Sequence, residues 1–216
     1  MSEKKIILHL CVEENIGSDS IYYQNHKDYD VILVDEKKDV TKFLPPPNVY
    51  GIIANPPCTE FSTASDFRHV KDIAKGMHLV EHCIRIIQAC MCAEEHPDFK
   101  FYSLENPFNG RLKEFIGLPD YVYQPWEFGS PWTKKTALWG NFNKPEKIYK
   151  KWEDVPKIPE LYIRPGRSKP GLVYFHKSAA ELIPEFEWAK DHIKTDATLR
   201  SMCSNGFAKA FFEANR

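Results

Sequence analysis

Residues 49–58 read VYGIIANPPC, an apolar run that two prolines and a cysteine follow at once. The β-branched residues of this run favour a buried strand, and three prolines at 45–47 bound it upstream. Pro56 and Pro57 stop the strand, because each proline fixes φ and removes a backbone donor. Cys58 is therefore predicted to lie on a stiff loop at the edge of a sheet, in a position suited to a nucleophile.

Other apolar runs in the chain have the same character. They read KKIILHLCV at 4–12, YDVILVDE at 29–36 and FKFYSLEN at 99–106, the last predicted to end as a strand at Glu105; KKTALWGNF at 134–142 is a candidate for a later strand. These runs predict at least four strands, most of them buried.

Helical patterns separate and follow these strands. Residues 70–95 form the clearest helix, since six apolar residues recur at steps of four and three along it: Ile73, Met77, Val80, Ile84, Ile87 and Met91. A short helix is expected in 19–26, with Ser18 or Asp19 near its N-cap, and another in 206–215. Strands that alternate with helices predict an α/β fold with a mostly parallel sheet and helices on both faces.

Composition limits the class of protein. The chain of 216 residues is 43% hydrophobic and 27% charged, as expected for one globular domain. It has no apolar run long enough for a membrane span and no secretory signal, so we expect a cytoplasmic protein without a membrane partner. The spacing of its six cysteines fits neither a disulfide framework nor a zinc site, and His78 and His82 lack the acidic motif of a metalloenzyme, so no metal is expected.

The net charge of −1 is unevenly distributed. Residues 134–171 hold ten Lys and Arg against four Asp and Glu, a local charge of +6, and aromatic residues are interleaved with them. Such a segment is either a solvated surface loop or a surface that follows phosphates and stacks on bases. Within it, residues 143–176 are rich in Pro and Gly and are expected to be irregular.

Distinctive residues follow four of the predicted strands: a turn at Gly17, Asp35, the NPPC stretch and Glu105. Because parallel strands end at the same edge of a sheet, these residues are predicted to line one rim, where ligands bind in such folds. A Gly-containing turn admits a cofactor close to the backbone, and an acid after the second strand is suited to ribose hydroxyls. A half-buried Glu105 would have a raised pKa, as suits a proton donor.

This pattern resembles the DNA cytosine 5-methyltransferase family. NPPCTEFS at 55–62 is similar to motif IV, ENP at 105–107 to motif VI, and NIGSDS at 15–20 weakly to motif I; KDVTKF at 38–43 and SNGFAKAF at 204–211 are similar to motifs III and X. The order of the motifs is that of the family, and the greatest similarity is to short, phage-encoded members. The resemblance implies a Rossmann-like methyltransferase fold in a single domain over 1–216, with 143–176 as a basic insert in place of a full target-recognition domain.

The resemblance also implies a mechanism, a cofactor and a partner. Cys58 would attack carbon 6 of a cytosine flipped out of DNA, Glu105 would hydrogen-bond its N3 and amino group, and carbon 5 would take a methyl from S-adenosylmethionine. Lys134 or Lys135 would replace an arginine of motif VIII. The implied cofactor contacts are Gly17, Ser18, Asp35, Asp39, Asn55, Pro56 and Asn205.

The chain departs from the family at motif I, which keeps only Gly17 and places Cys11, Val12, Glu13 and Glu14 where small residues are usual. Lysine in motif VIII also lacks the bidentate fork of arginine. Two other functions therefore stay open. One is an exocyclic-amino DNA methyltransferase, which NPP fits although Cys58 replaces its stacking aromatic residue. The other is a degenerate fold that binds DNA or a partner without catalysis.

Overall fold

The computed structural model describes residues 4–13, 16–63 and 70–216. It contains one six-stranded sheet with the strand order β2-β1-β3-β4-β6-β5. The strands are β1 (Lys5–Leu10), β2 (Tyr29–Val34), β3 (Val49–Ala54), β4 (Phe101–Pro107), β5 (Tyr121–Tyr123) and β6 (Thr136–Asn141). The helices are α1 (Ile21–Gln24), α2 (Ile73–Cys92), α3 (Lys113–Ile116), α4 (Asp196–Ser201) and α5 (Asn205–Asn215), together with several short 3-10 helices.

The first four strands are parallel, whereas β6 runs antiparallel to both β4 and β5. The α/β prediction with a mostly parallel sheet is thus confirmed. The chain moves from β1 to β2 on one side and continues with β3 on the other, so the direction of strand addition reverses between β1 and β3. In open α/β sheets the crevice at such a reversal is where ligands bind.

Alternate residues of the central strands enter two hydrophobic cores on opposite faces. Leu8 and Ile52 pack with residues of α2, whereas Ile7 and Ile53 pack with the aromatic side chains of α5. A third cluster surrounds Trp132 and is built largely from residues beyond 160. Helices therefore cover both faces of the sheet.

The helix predicted in 70–95 is confirmed, but its buried stripe differs from the predicted one. Asp72 caps α2, since its side chain accepts a hydrogen bond from Lys75 N. Met91 is 52% exposed, and Ile73, Met77 and Ile84 are only partly buried. Val80 and Ile87 are buried as predicted, and the other buried residues of the helix are Gly76, Cys83, Ile86 and Cys90. At Gly76 a small residue is needed because α2 closely approaches the loop after β3: a Cβ there would lie 2.9 Å from Glu60 and Phe61 atoms.

Two further differences concern the edge of the sheet. β4 continues beyond Glu105 to Pro107, because residues 105–107 pair with Leu138, Ala137 and Thr136 of β6. The three-residue β5 was not predicted, since it is too short to show a pattern. In residues 143–176 the regular elements are the 3-10 helices Trp152–Asp154 and Leu172–Tyr174.

Candidate active site

The carboxyl ends of the parallel strands are aligned by register. Leu10 of β1 pairs with Val34 of β2 and with Ala54 of β3, and Ala54 pairs in turn with Leu104 of β4. The residues that follow this row are Cys11, Asp35, Asn55 and Glu105. The sheet therefore brings the ends of the four strands to one rim.

The loop that carries Cys58 is fixed at several points. Asn55 N donates to Leu10 O over 3.0 Å, and Asn106 Nδ2 donates to Pro56 O over 3.0 Å. Cys58 O accepts hydrogen bonds from the backbone N–H groups of Phe61 and Ser62. Pro56 is buried and Cys58 is half-buried, so the thiol lies on an ordered loop at the rim, as the two prolines predict.

The Cys58 thiol has opposing electrostatic neighbours. Burial raises its pKa, and the negative charge of Glu105 raises it further, whereas the positive charge of Lys134 lowers it. Cys58 thus lies within electrostatic reach of both groups. Its ionisation depends on the charge state of Glu105.

Glu105 lies beside Lys134 and is largely, though not fully, buried. Its Oε1 lies 4.0 Å from Lys134 Nζ, and only 14% of its side chain is exposed. Burial raises the pKa of Glu105 to about 7, the charge of Asp19 adds to this shift, and Lys134 opposes it. Within the described part of the chain, Oε1 accepts no hydrogen bond, so it is an acceptor or proton carrier without a fixed partner.

Lys134 and Lys135 have different surroundings. Lys134 Nζ donates to Ser201 O over 3.2 Å, and its backbone N–H donates to Gln124 Oε1. Burial would lower the pKa of Lys134, but the charges of Glu105 and Asp19 outweigh this and raise it. Lys135 is exposed and lies over the ring of Phe108, 3.9 Å from its centroid. Lys134, and not Lys135, forms the ion pair with Glu105.

The turn after β1 has the conformation of a glycine turn. Gly17 has φ of 55°, in the left-handed region that favours glycine, and a Cβ there would lie 2.7 Å from Gln24 Nε2 and 2.9 Å from Leu33 Cδ2. Cys11 has φ of 59° although it is not glycine. Ser18 Oγ accepts from Cys203 N over 3.0 Å, which joins this turn to the segment before α5. Glu14 lies outside the described residues.

The two acids after β2 are engaged with their own turn. Asp35 Oδ1 accepts from the backbone N–H groups of Lys37 and Lys38. Asp39 Oδ1 accepts from Thr41 N and Thr41 Oγ1, and its Oδ2 pairs with Lys42 Nζ at 3.0 Å. Hydrogen bonds from Thr41 and then from Lys42 lower the pKa of Asp39 to about 2. Asp35 lies at the rim, whereas both carboxylate oxygens of Asp39 already bond to Thr41 and Lys42 of the same turn.

Asn205 is the first residue of α5, and its backbone N–H donates to Glu185 Oε2 over 3.2 Å. Glu185 also accepts from Ser130 Oγ. Burial raises the pKa of Glu185 to about 7, although these hydrogen bonds act against the shift. Because Cys203 contacts Ser18, the start of α5 lies next to the turn after β1.

Asp19 is a residue of the candidate site for which the sequence predicts only a role as a helix cap. The structure places the cap of α1 at Ser20, and Asp19 Oδ2 instead accepts from Asn55 Nδ2 over 2.9 Å. Asp19 lines a narrow crevice together with Ser103 and Glu105. Its position two residues after Gly17 is the signal in the sequence, but its partner lies 36 residues away.

Among the described residues, no group of three or more His, Cys, Asp or Glu is arranged to hold a metal ion. His78 and His82 pack against each other with their ring centroids 4.6 Å apart. Among the helices of the described ranges, none combines the length and the apolar character of a membrane span. A scan against protein-family models finds no match for this chain, and a search of curated proteins finds none of significant similarity.

Proposed function

We propose that the protein is a DNA cytosine 5-methyltransferase-like enzyme, which transfers a methyl or related group from S-adenosylmethionine to a flipped cytosine. The observation that carries the proposal is the placement of a loop cysteine, a buried glutamate and a lysine within electrostatic reach of one another at the rim. The order of motifs in the sequence and the mostly parallel sheet are consistent with it.

The charges of the three groups suit nucleophilic attack on a ring. Protonation of Glu105 removes the negative charge that raises the pKa of Cys58, while the positive charge of Lys134 continues to lower it. A neutral Glu105 therefore favours the Cys58 thiolate, which is the nucleophilic form. With a pKa of about 7, Glu105 is substantially protonated at neutral pH.

In the proposed reaction, Cys58 Sγ forms a bond to carbon 6 of cytosine, and the electron pair of the C5–C6 double bond moves towards carbon 5. Glu105 donates its proton, or a hydrogen bond, to N3 and so stabilises the charge that develops on the ring. Once carbon 5 carries the new group, a base takes the proton from carbon 5, the electron pair of that C–H bond restores the double bond, and Cys58 leaves as a thiolate.

The rim residues partly fit S-adenosylmethionine, which when bound supplies an electrophilic methyl group. The left-handed backbone at Cys11 and Gly17 gives the turn after β1 a conformation that glycine usually provides. Gly17, Ser18 and Asp35 would hold the cofactor there, with Asn55, Pro56 and Asn205 adjacent. Asp39 is the weakest of these candidates, because Thr41 and Lys42 already occupy its carboxylate.

DNA is the proposed partner, because chemistry on a cytosine requires the base to leave the stack. The basic segment 134–171 adjoins the site: Thr133 N donates to Pro170 O, and Leu172 N donates to Thr133 O, next to Lys134. A phosphate backbone held by this segment would pass close to Glu105 and Cys58.

The test is covalent trapping on DNA in which 5-fluorocytosine replaces cytosine, with S-adenosylmethionine present. Fluorine at carbon 5 prevents the final proton loss, so the wild-type protein should stay attached to the DNA in a denaturing gel. Cys58→Ala should form no adduct, while Cys92→Ala, which removes an exposed thiol at the end of α2, should react as the wild type does.

Mass spectrometry of unsubstituted DNA from cells that express the protein identifies the product. A group on carbon 5 of cytosine is the expected result. A methylated exocyclic amine would favour the second methyltransferase class, and unmodified DNA without any adduct would favour the non-catalytic fold.

A further inference from the structure

We propose that Asp19 is a positioning residue for the Cys58–Glu105 site: through Asn55 it holds the loop that carries Cys58, and it places a fixed negative charge beside Glu105 and Lys134. A role of Asp19 in catalysis rests on the proposed function. The hydrogen bond to Asn55 and the charge beside Glu105 can both be tested in the free protein.

The position of Asp19 is fixed by the turn around it. Gly17 O accepts from Ser20 N, Ser20 Oγ and Gln24 Nε2, and Ser20 Oγ lies 2.8 Å from His9 Nδ1. These contacts anchor the 3-10 turn Ser18–Ser20 to β1 and α1. Asp19 is the half-buried residue of this turn, and its side chain reaches β3 at the point where that strand ends.

The bond from Asn55 to Asp19 matters because it holds the stretch between β3 and Cys58, whereas the residues after Cys58 are anchored by Lys71, Asp72 and Arg111. Neither Pro56 nor Pro57 has a backbone N–H, so the main chain between Asn55 and Cys58 offers no donor. Three hydrogen bonds hold this first stretch: Asn55 N donates to Leu10 O, Asn106 Nδ2 donates to Pro56 O, and Asn55 Nδ2 donates to Asp19 Oδ2. Of these three bonds, only the last involves a charged acceptor, and charge-assisted hydrogen bonds are the stronger kind.

The charge of Asp19 acts on the same groups that would perform the chemistry. Among the residues that the structure describes, the titratable groups that interact electrostatically with Glu105 are Lys134, Asp19, Cys58, Tyr123 and Cys203. Asp19 raises the pKa of Glu105 beyond the effect of burial, and it helps to keep Lys134 protonated despite burial. One carboxylate thus favours a protonated acid and a charged lysine at the same time.

Two substitutions of Asp19 separate the effect of its charge from the effect of its hydrogen bond to Asn55. Asp19→Asn keeps an oxygen that can accept from Asn55 Nδ2 but removes the charge, whereas Asp19→Ala removes both. Asp30→Asn is the matched control, because Asp30 is an exposed carboxylate on β2 that pairs with Lys4 at 2.9 Å. Asn55→Ala removes the hydrogen bond from the other side and leaves the charge of Asp19.

The effect of the Asp19 charge on Glu105 is measured by carbon-13 NMR titration of the Glu105 carboxyl in the free protein. The Glu105→Gln variant assigns the signal. Its midpoint should fall by on the order of 0.5 pH unit in both Asp19 variants, since a nearby like charge is lost. Asp30→Asn should leave the midpoint unchanged. An unchanged midpoint in Asp19→Asn, the variant that preserves the fold best, would overturn the electrostatic part.

The effect of the hydrogen bond on the loop is measured by the rate at which iodoacetamide alkylates Cys58 at fixed pH. Peptide mass spectrometry detects the alkylated residue. Asp19→Ala and Asn55→Ala should both change this rate several-fold, because a released loop alters the exposure of the thiol, while Asp19→Asn should change it less. Equal rates in all variants would overturn the positioning part. Neither measurement needs DNA or S-adenosylmethionine, so both outcomes are independent of the base analysis that decides the proposed function.

Discussion

At the scale of single residues, two buried carboxyl groups distinguish this protein. Glu105 faces Lys134, whereas Glu185 accepts hydrogen bonds from Ser130 Oγ and Asn205 N, and burial raises the pKa of each to about 7. A carboxyl group whose pKa rises on folding binds its proton more tightly in the folded state. The folded protein therefore loses stability when these groups ionise.

Glu105→Gln is expected to make the protein more stable at pH 8 and to reduce the dependence of stability on pH. The ordinary pKa of Glu105 is 4.5 and the folded value is about 7, so the folded state holds more protons between these values and wild-type stability falls as pH rises across them. One pKa unit corresponds to about 1.4 kcal/mol, so between pH 4.5 and 8 the wild type should lose about 3 kcal/mol more stability than the variant does.

Urea unfolding at several pH values between 4.5 and 8 measures this difference. Glu213→Gln is the control, because Glu213 lies on the outer face of α5 with 55% of its side chain exposed. Glu185 contributes a pH dependence of its own in all three proteins. Identical pH dependence in wild type and Glu105→Gln would contradict the expectation.

At the scale of elements, the basic segment 134–171 contains cations with different structural tasks. Lys147 pairs with Glu127 at 2.8 Å and donates to Val122 O, so it contributes to the fold. Lys169 lies 5.2 Å from the ring centroids of both Trp126 and Trp152. Lys150, Lys151 and Arg167 are exposed and are better placed to meet phosphates.

Replacing Lys150, Lys151 and Arg167 together by Ala should weaken DNA binding and flatten its salt dependence. Each phosphate contact that is lost lowers the slope of log K against log salt by about 0.9, so the loss should approach about 3 if all three bind phosphate. Fluorescence anisotropy with labelled duplex DNA at several salt concentrations measures the slope. Lys209→Ala, which removes an exposed lysine of α5, should leave it unchanged. An unchanged slope in the triple variant would assign these cations to a solvated loop.

The elements also show what the sequence allows one to predict. The four parallel strands are long apolar runs, and both Cys58 and Glu105 follow such runs, so the rim could be predicted from local patterns. The buried face of α2 was predicted less well, because Gly76, Cys83 and Cys90 carry contacts that a search for large apolar residues overlooks. Asp19 was not recognised because its bond to Asn55 depends on the pairing of β1 with β3, which no local pattern specifies.

At the scale of the whole molecule, α5 closes one face of the sheet with aromatic side chains. Phe207 stacks on Tyr123 with ring centroids 3.7 Å apart, and Phe211 meets Phe101 edge-on at 5.7 Å. Phe207 and Phe211 are each only 3% exposed. Asn215 further joins the end of this helix to Asn143, whose N–H donates to Asn215 Oδ1 over 2.7 Å.

Phe211→Ala should destabilise the protein by about 3–5 kcal/mol, because it removes a buried ring and leaves a cavity against β4. Phe211→Leu should cost less, since most of the volume stays filled. Urea unfolding of both variants at pH 7 gives the free energies. A cost below 1 kcal/mol for the alanine variant would mean that α5 contributes little to the stability of the core.

The closure by α5 has a consequence for biosynthesis. The ribosome makes α5 after all six strands, so the nascent sheet displays Tyr29, Tyr50, Phe101 and Tyr123 on a face that α5 does not yet cover. Such a surface is prone to aggregate and is a substrate for chaperones. Synthesis of this chain therefore exposes a strongly aromatic surface until α5 is made, and its yield in cells should depend on chaperone supply more than its final stability would suggest.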